Sequence, residues 1–323
     1  MKVRKLTQED IPELIRFGQE MYPERKDTYA KLIHFVMDNR IGDYTGGIIL
    51  CDDNNKIVGQ SIDSSTQLWY EGIFKEACWA YDLIIEEKYR KDAWGIEVMI
   101  ANGKKFPNSC ATGSNPTALK INLKLGCSLI GELKKYVGLS SILHFPLHLF
   151  PVRNFYPSEI NGFKLIKDYN NYKYKKFFNY ELLEPSRDLS FIKWRYFSPG
   201  FKEYKLYQNK EGEWFVVRHV KYKLADILIV SDFRCCLDNT ASFHNIYKAI
   251  KKIANKKRIP FILCGSSHIN TDNVLKKNNA ISIGRPRPII FSKSLRELLD
   301  SKKIKQRNYC FITLGDSDGE WNL

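Results

Sequence analysis

The chain has 323 residues, a formal net charge of +15 and 44% hydrophobic residues, more than one hydrophobic core ordinarily takes, so two domains are expected. No apolar run is long enough to span a bilayer and the opening Met1-Lys2-Val3-Arg4-Lys5 lacks a signal-peptide core, which predicts a cytoplasmic protein with no membrane insertion. The cysteines Cys51, Cys78, Cys110, Cys127, Cys235, Cys236, Cys264 and Cys310 are scattered without a CxxC pair, and the histidines show no ligand spacing, so neither a disulfide framework nor a metal site is expected. The cationic excess suits phosphate. Its densest run, Lys248, Lys251, Lys252, Lys256, Lys257 and Arg258, closes a predicted helix whose dipole favours cations there, so charge alone does not choose between nucleic acid and small polyphosphate ligands.

In chain order, Lys2–Leu6 alternates like a strand and Thr7-Gln8-Glu9-Asp10 forms a helix start with acids in the first turn. Helices follow through Ile11, Leu14, Ile15 and Met21, and through Tyr29, Leu32, Ile33 and Val36. Strands at 47–51 and 56–63 flank the Asp52-Asp53-Asn54-Asn55 turn, and a further strand covers 77–85. A helix begins near Trp94, a short strand takes 110–112, a helix takes 116–125 and stops at Gly126, and a strand takes 128–137. This is a mixed α/β (α+β) domain over residues 1–140 around a largely antiparallel sheet. Pro146, Pro151, Pro157 and Pro185 then break the pattern amid aromatic residues, a packed linker or bridging segment over 141–185. Residues 186–323 repeat the first order: a hairpin around Gln208–Gly212, a strand at 227–231, a helix at 242–254, a strand at 261–264, a helix at 271–277 and a strand at 309–314, so a second, degenerate copy is expected.

The chemistry is expected at Asp82-Leu83-Ile84-Ile85-Glu86-Glu87-Lys88-Tyr89-Arg90-Lys91-Asp92-Ala93-Trp94-Gly95. An apolar strand enters a short loop with Arg, Ala and Gly and passes at once into a helix, which aims several N–H groups, and the positive end of the helix dipole, at one spot: a pyrophosphate cradle.

At these residues the chain resembles the GNAT superfamily of acyltransferases, whose loop reads Arg-Gly-x-Gly-x-Gly or Ala. Arg90, Ala93 and Gly95 match, while Lys91 replaces the first glycine and Glu87 the proline of the strand end. Asn115-Pro116-Thr117-Ala118-Leu119-Lys120-Ile121-Asn122 resembles the family helix beside the pantetheine arm. Asn122 stands where many members place the tyrosine that protonates the departing thiolate, so that role is not carried over; a thiol pKa of roughly 8.5 still makes thiolate a fair leaving group. The resemblance implies an acyl-CoA donor, with Leu83, Ile84, Ile85, Arg90, Lys91, Asp92, Ala93, Trp94, Gly95, Ile96, Asn115, Ala118 and Asn122 around it and no metal.

An amine arrives as an ammonium and needs a base before it attacks a thioester. Asp82, then Glu76, are the candidates for base or amine anchor, Trp79 lines the acceptor, and a backbone N–H near Ile84 or Ile85 holds the oxyanion. The string Phe191-Ile192-Lys193-Trp194-Arg195-Tyr196-Phe197-Ser198-Pro199, with Tyr204 and Tyr207, and the C-terminal 314–321 string, resemble two-domain GNAT-type proteins of bacterial surface-polysaccharide biosynthesis. That resemblance implies an amino sugar on a nucleotide diphosphate as acceptor, Trp194 and Arg195 as its contacts, and no nucleic-acid partner. The loop Gly284-Arg285-Pro286-Arg287-Pro288 offers Arg285 to an acceptor phosphate, or is an exposed turn. After the strand ending at Ser231, Asp232–Asp238 has no glycine and carries acids, so the second copy is not expected to bind its own CoA. Two other functions stay open: a transferase that takes aminoacyl groups from charged tRNA, and an inactive ligand-binding module.

Overall fold

A computed structural model describes residues 1–39, 41–141, 151–175, 182–198, 200, 202–297 and 309–316. His144, His148, Pro199 and residues 317–321 of the C-terminal string lie outside the described residues. The chain forms two compact units, the first made of Met1–Trp69, Ile73–Ile130 and Pro288–Lys302, the second of Tyr70–Gly72, Gly131–Arg287 and Lys303–Leu323. The described residues 288–297 thus group with the first unit.

In the first unit, β1 (Lys2–Lys5) pairs antiparallel with β2 (Gly46–Cys51), and β2 with β3 (Ile57–Tyr70), whose register slips between Leu50 and Cys51. β4 (Ile73–Ile85) lies beside β3, and β5 (Ser109–Thr112) pairs parallel with β4 after the crossover helix α3 (Trp94–Lys105). Helix α1 (Ile11–Met21) starts where expected. Thr7 N–H and Oγ both bond Asp10 Oδ2 at 2.8 Å, and Arg4 grips both Asp10 oxygens, which holds that carboxyl well below its ordinary range and ties β1 to the helix start.

Helices α2 (Lys26–Met37) and α3 cover opposite faces of this sheet. Gln60 Nε2 donates to Tyr29 of α2 at 2.7 Å, whereas its neighbour Ser61 accepts from Asn102 of α3 at 2.7 Å, and consecutive strand residues point to opposite faces. Helix α4 (Pro116–Lys124) opens on Asn115, whose side chain accepts from Ala118 N–H at 2.8 Å, with Pro116 at the first helical position.

The second unit carries most of β6 (Ser128–Leu139), which pairs antiparallel with β13 (Phe261–Ser266). β13 pairs parallel with β12 (Ala225–Arg234) after the crossover helix α6 (Thr240–Lys257), and β12, β11 (Trp214–Tyr222), β10 (Lys205–Gln208), β8 (Phe163–Ile166) and β7 (Glu159–Ile160) continue antiparallel. Its core joins Phe215 and Phe233 to the buried face of α6, Phe243, Ile246, Ile250 and Ile253. Both units therefore hold one parallel pair joined by a helix within otherwise antiparallel sheets, the mixed α/β architecture expected.

Three sequence expectations are corrected. The segment around Arg285 is neither loop nor turn: it lies in strand β14 (Ile281–Phe291), whose last residues pair antiparallel with β5 from Ile289↔Thr112 to Phe291↔Cys110. The expected strand at 309–314 is reduced to isolated bridges at Cys310 and Thr313 and a short turn of helix, Leu314–Asp316. Asp232 is not in a loop after Ser231, because β12 runs on through Arg234.

Candidate active site

Among the described residues, the β4–β5 ladder consists of Cys78↔Ser109 and Trp79↔Cys110, while β4 runs on to Ile85. Beyond Trp79 the two strands part, leaving a split at their C-terminal ends, the place where α/β sheets receive ligands. The course of β4 through the split is shifted by one residue. Cys78 N–H donates to Asn108 O, on the β5 side, yet Glu86 N–H, an even number of residues on, donates to Val58 O on the β3 side. A regular strand would aim both the same way. The shift occurs at Asp82, whose φ of +43° breaks the pleat. By alternation, the N–H groups of Leu83 and Ile85 face the split and that of Ile84 faces β3. Of the two positions near which an oxyanion donor is expected, the N–H of Ile85 faces the split and that of Ile84 faces away from it.

The loop that follows leads from the split to α3. Tyr89, Arg90, Ile96 and Glu97 donate their N–H groups to loop carbonyls, while those of Lys91, Asp92, Ala93, Trp94 and Gly95 make no backbone hydrogen bond among the described residues. Ala93 occupies the cap position at φ +61° without a side-chain cap, and Lys91, Asp92 and Ala93 are exposed. Arg90 Nε donates to Ile85 O at 2.8 Å and so braces the loop against the strand end. A Cβ on Gly95 would only touch Ile85 Cγ1 at 3.5 Å, so steric need does not explain this glycine. The geometry offers five consecutive amides and a helix N-terminus to an anion.

The α2 face of the split gathers the acceptor candidates. Asp82 is one-tenth exposed and lies 3.8 Å from Arg25 Nη1, and Arg25 in turn stacks 3.7 Å over the Tyr22 ring. Tyr29 is buried below them, and burial first, then the Asp82 charge, pushes its hydroxyl well above the ordinary tyrosine value. Trp79 is buried on this face, since Cys78 faces the other. Glu76 is not brought here: it is exposed, six residues up the strand and roughly 20 Å from Asp82.

No family model matches this chain, and no curated protein matches it. Solved structures do. A conserved protein from Enterococcus faecalis V583, described as a probable N-acyltransferase, aligns with a TM-score of 0.61 and 13% identity over 93% of this chain and 74% of its own. Saccharomyces cerevisiae N-myristoyltransferase with bound myristoyl-CoA aligns at 0.56 and 10% identity over 90% and 78%, and a second structure of that enzyme at 0.56 and 8% over 90% and 82%. The chain shares the mixed α/β fold of these structures.

The remaining expected residues occupy different settings within this fold. Asn115 caps α4, and Ala118 is the residue whose N–H it receives. Asn122 is half-buried, with Oδ1 accepting from Cys127 Sγ at 3.9 Å. In the second unit, Trp194 packs edge-on against Phe191, and Arg285 is exposed on β14. Arg195 is 1% exposed and donates Nε to Gly315 O at 2.8 Å and Nη1 to Tyr204 at 3.3 Å. Arg195 is therefore a buried brace between the Trp-Arg-Tyr string and the C-terminal Leu-Gly-Asp turn, a position that does not suit the expected phosphate contact. Beside it, Arg187 bonds both Asp232 and Asp316, Tyr196 donates to Asp232, and Arg234 pairs with Glu184, a fully buried ionic network that explains the acids after Ser231.

Sequence reasoning passed over the interior of β3. Gln60, Ser61, Asp63, Ser64, Ser65 and Thr66 are all at most 3% exposed. On the α3 face, Asp63 Oδ1 accepts from Cys78 Sγ at 3.5 Å and Asn102 Nδ2 at 3.4 Å, and burial pushes the Asp63 carboxyl up to about 8. The available signal was the polar run Asp63–Thr66, which begins at the end of the strand expected at 56–63.

Proposed function

We propose that the chain is an acyl-CoA-dependent N-acyltransferase, and that the first unit binds the donor. The observation that carries this is the β4–β5 split opening directly onto five unengaged amides at the start of α3. A pyrophosphate on those amides sets the extended pantetheine arm along the split, beside the edge of β4 at Leu83 and Ile85. The likeness in fold to an N-myristoyltransferase that binds myristoyl-CoA supports this donor class.

In the reaction the amine nitrogen attacks the thioester carbonyl, the C–S bond breaks, and CoA leaves as thiolate. Leu83 or Ile85 N–H stabilises the oxyanion from the split side. Asp82 anchors the ammonium or takes its proton, with Arg25 holding the carboxylate in place; Glu76 has no part. The acceptor we propose is the amine of a nucleotide-linked amino sugar, which rests on the sequence resemblance alone.

Titration with acetyl-CoA, followed by thiol release with an amino-sugar nucleotide, tests the proposal. Saturable binding that Gly95→Asp weakens by at least about tenfold, through the charge it places in the anion cradle, is expected. Binding without thiol release from any amine supports the inactive-module alternative, and absence of CoA binding supports the tRNA-dependent one.

A further inference from the structure

The five most exposed large apolar side chains among the described residues lie at one end of the second unit's sheet. They are Leu224 and Ile281 at 72%, Phe155 at 49%, and Leu139 and Tyr222 at 45%. The register brings them together. Ile227 pairs with Phe261 and Phe261 with Leu139, so the starts of β12 and β13 and the finish of β6 share one end, and the β11–β12 turn with Tyr222 and Leu224 lies just beyond it. A Cβ on Gly138 would stand 3.5 Å from Ala280 Cβ, which seats Ile281, the first residue of β14, at the same end beside β6. Helix α6 also finishes here. Lys257 O accepts from Arg153 N–H at 2.9 Å and Lys257 Nζ donates to Phe155 O at 3.3 Å, which fixes Phe155 beside the helix end.

The same end is cationic. Lys221 and Lys223 alternate with Tyr222 and Leu224 in the β11–β12 turn, Lys256 lies in the last turn of α6, and Lys276 and Lys277 close the helix Ile269–Lys277 that leads into β14. All five lysines are exposed, and none pairs with an acid among the described residues. The acids that approach are engaged, Asp226 with His219 and Glu203 with Lys205, each at 2.7 Å. The helix dipole accounts for the cations at the two helix ends. It does not account for Lys221 and Lys223, and it gives no reason to leave leucine and isoleucine in water. Single exposed apolar side chains are ordinary, whereas a group of them ringed by polar residues marks a docking surface.

We propose that this end of the second unit docks on an anionic lipid surface. Leu224 and Ile281 are separated by three strand spacings and a further offset along the strands, roughly 20 Å in all, too far for one small ligand and suited to a broad interface. Lysines meet the lipid phosphates, the leucine, isoleucine and phenylalanine side chains enter the boundary between headgroups and acyl chains, and Tyr222 sits at the polar level. A nucleic acid uses the same cations but gains from aromatic stacking, and the two side chains that protrude furthest, Leu224 and Ile281, present no ring. Docking of this kind needs no spanning helix, and among the described residues no helix is long and apolar enough to cross a membrane. The inference is independent of the acyl-CoA reading, whose residues belong to the first unit.

The wild-type chain is sedimented with vesicles of phosphatidylcholine alone and with vesicles containing about one-third phosphatidylglycerol. Saturable binding to the anionic vesicles, at least about tenfold tighter than to the neutral ones, is expected. Leu224→Ser combined with Ile281→Ser, which leaves the charge untouched, is expected to weaken it about tenfold, and Lys221→Gln and Lys223→Gln about fivefold each. Urea unfolding midpoints are expected to stay at the wild-type value in these variants, since every substituted side chain is exposed. Equal binding to neutral and anionic vesicles, or binding to neither, overturns the proposal. So does anionic binding that survives the serine pair, which is adsorption of the basic chain as a whole. A concentration-dependent dimer, or binding of polyuridylate, that the serine pair abolishes while no vesicle is bound assigns the surface to a second copy or to RNA and likewise overturns it.

Discussion

Asp63→Asn is a clean probe of the first unit because it removes an ionisation and almost no volume. The folded carboxyl titrates at about 8 against an ordinary 3.8, so between those values the native state holds a proton that the unfolded chain has released. A folded-state value raised in this way makes stability highest below the unfolded value and erodes it as pH climbs, until the loss is complete above the folded value. At about 1.4 kcal/mol per pH unit the erosion approaches about 6 kcal/mol in full and about 4 kcal/mol by pH 7. Asparagine cannot ionise, so the variant is expected to match the wild type near pH 4 and to exceed it progressively to pH 9. Urea unfolding at pH 5, 7 and 9, read as midpoint shifts at constant m, measures the difference. An offset between the two proteins that stays the same at pH 5 and pH 9 refutes the claim that Asp63 is buried without a compensating cation.

Asp82→Asn is expected to lower kcat far more than it changes acyl-CoA affinity; equal losses in the two demote Asp82 to a structural part of the β4 break. Ala93→Gly relieves an alanine held at φ +61° and is expected to raise stability by about 1 kcal/mol in urea unfolding, with acetyl-CoA binding retained. Arg187→Met leaves Asp232 and Asp316 buried without their shared cation, and is expected to cost about 3–5 kcal/mol of the second unit's stability, measured by thermal or urea unfolding.

What the sequence made legible was local. Asp10 three residues after Thr7, and Asn115 directly before Pro116, mark helix starts through short-range bonds, and the structure places those bonds where the spacing predicts. The strand–loop–helix around Arg90 and Gly95 was legible for the same reason. Long-range partnerships were not. Arg285 and its flanking prolines look like a turn because proline lacks a ladder donor, yet they lie within the strand Ile281–Phe291. Arg195 suits a phosphate by type, and only the return of the C-terminal turn, whose Gly315 carbonyl it holds, reveals a brace. Asp63 lay hidden because a carboxylate on a strand is ordinarily solvated, and nothing nearby in sequence announces that α3 will close over it.

The two parallel strand pairs share a topology but differ at their helix starts, which bears on the proposed donor site. Both β4–α3–β5 and β12–α6–β13 place a helix start at the end of a strand, the arrangement that can grip phosphate. At α6 the Asn239 side chain takes the Ala241 N–H at 2.9 Å, and the strand leading there ends in Asp232 and Arg234, both consumed by the buried ionic network. At α3 the cap is Ala93, which has no acceptor to offer, and the preceding strand ends in Ile84 and Ile85. The difference is thus one of capping chemistry: a polar cap satisfies the first-turn amides internally, whereas alanine at positive φ keeps the turn tight and leaves them for an external anion. This difference supports the proposed placing of the donor on the first unit, and replacing the α3 cap with a side chain that accepts from its own helix start is the change that would bring α3 to the condition of α6.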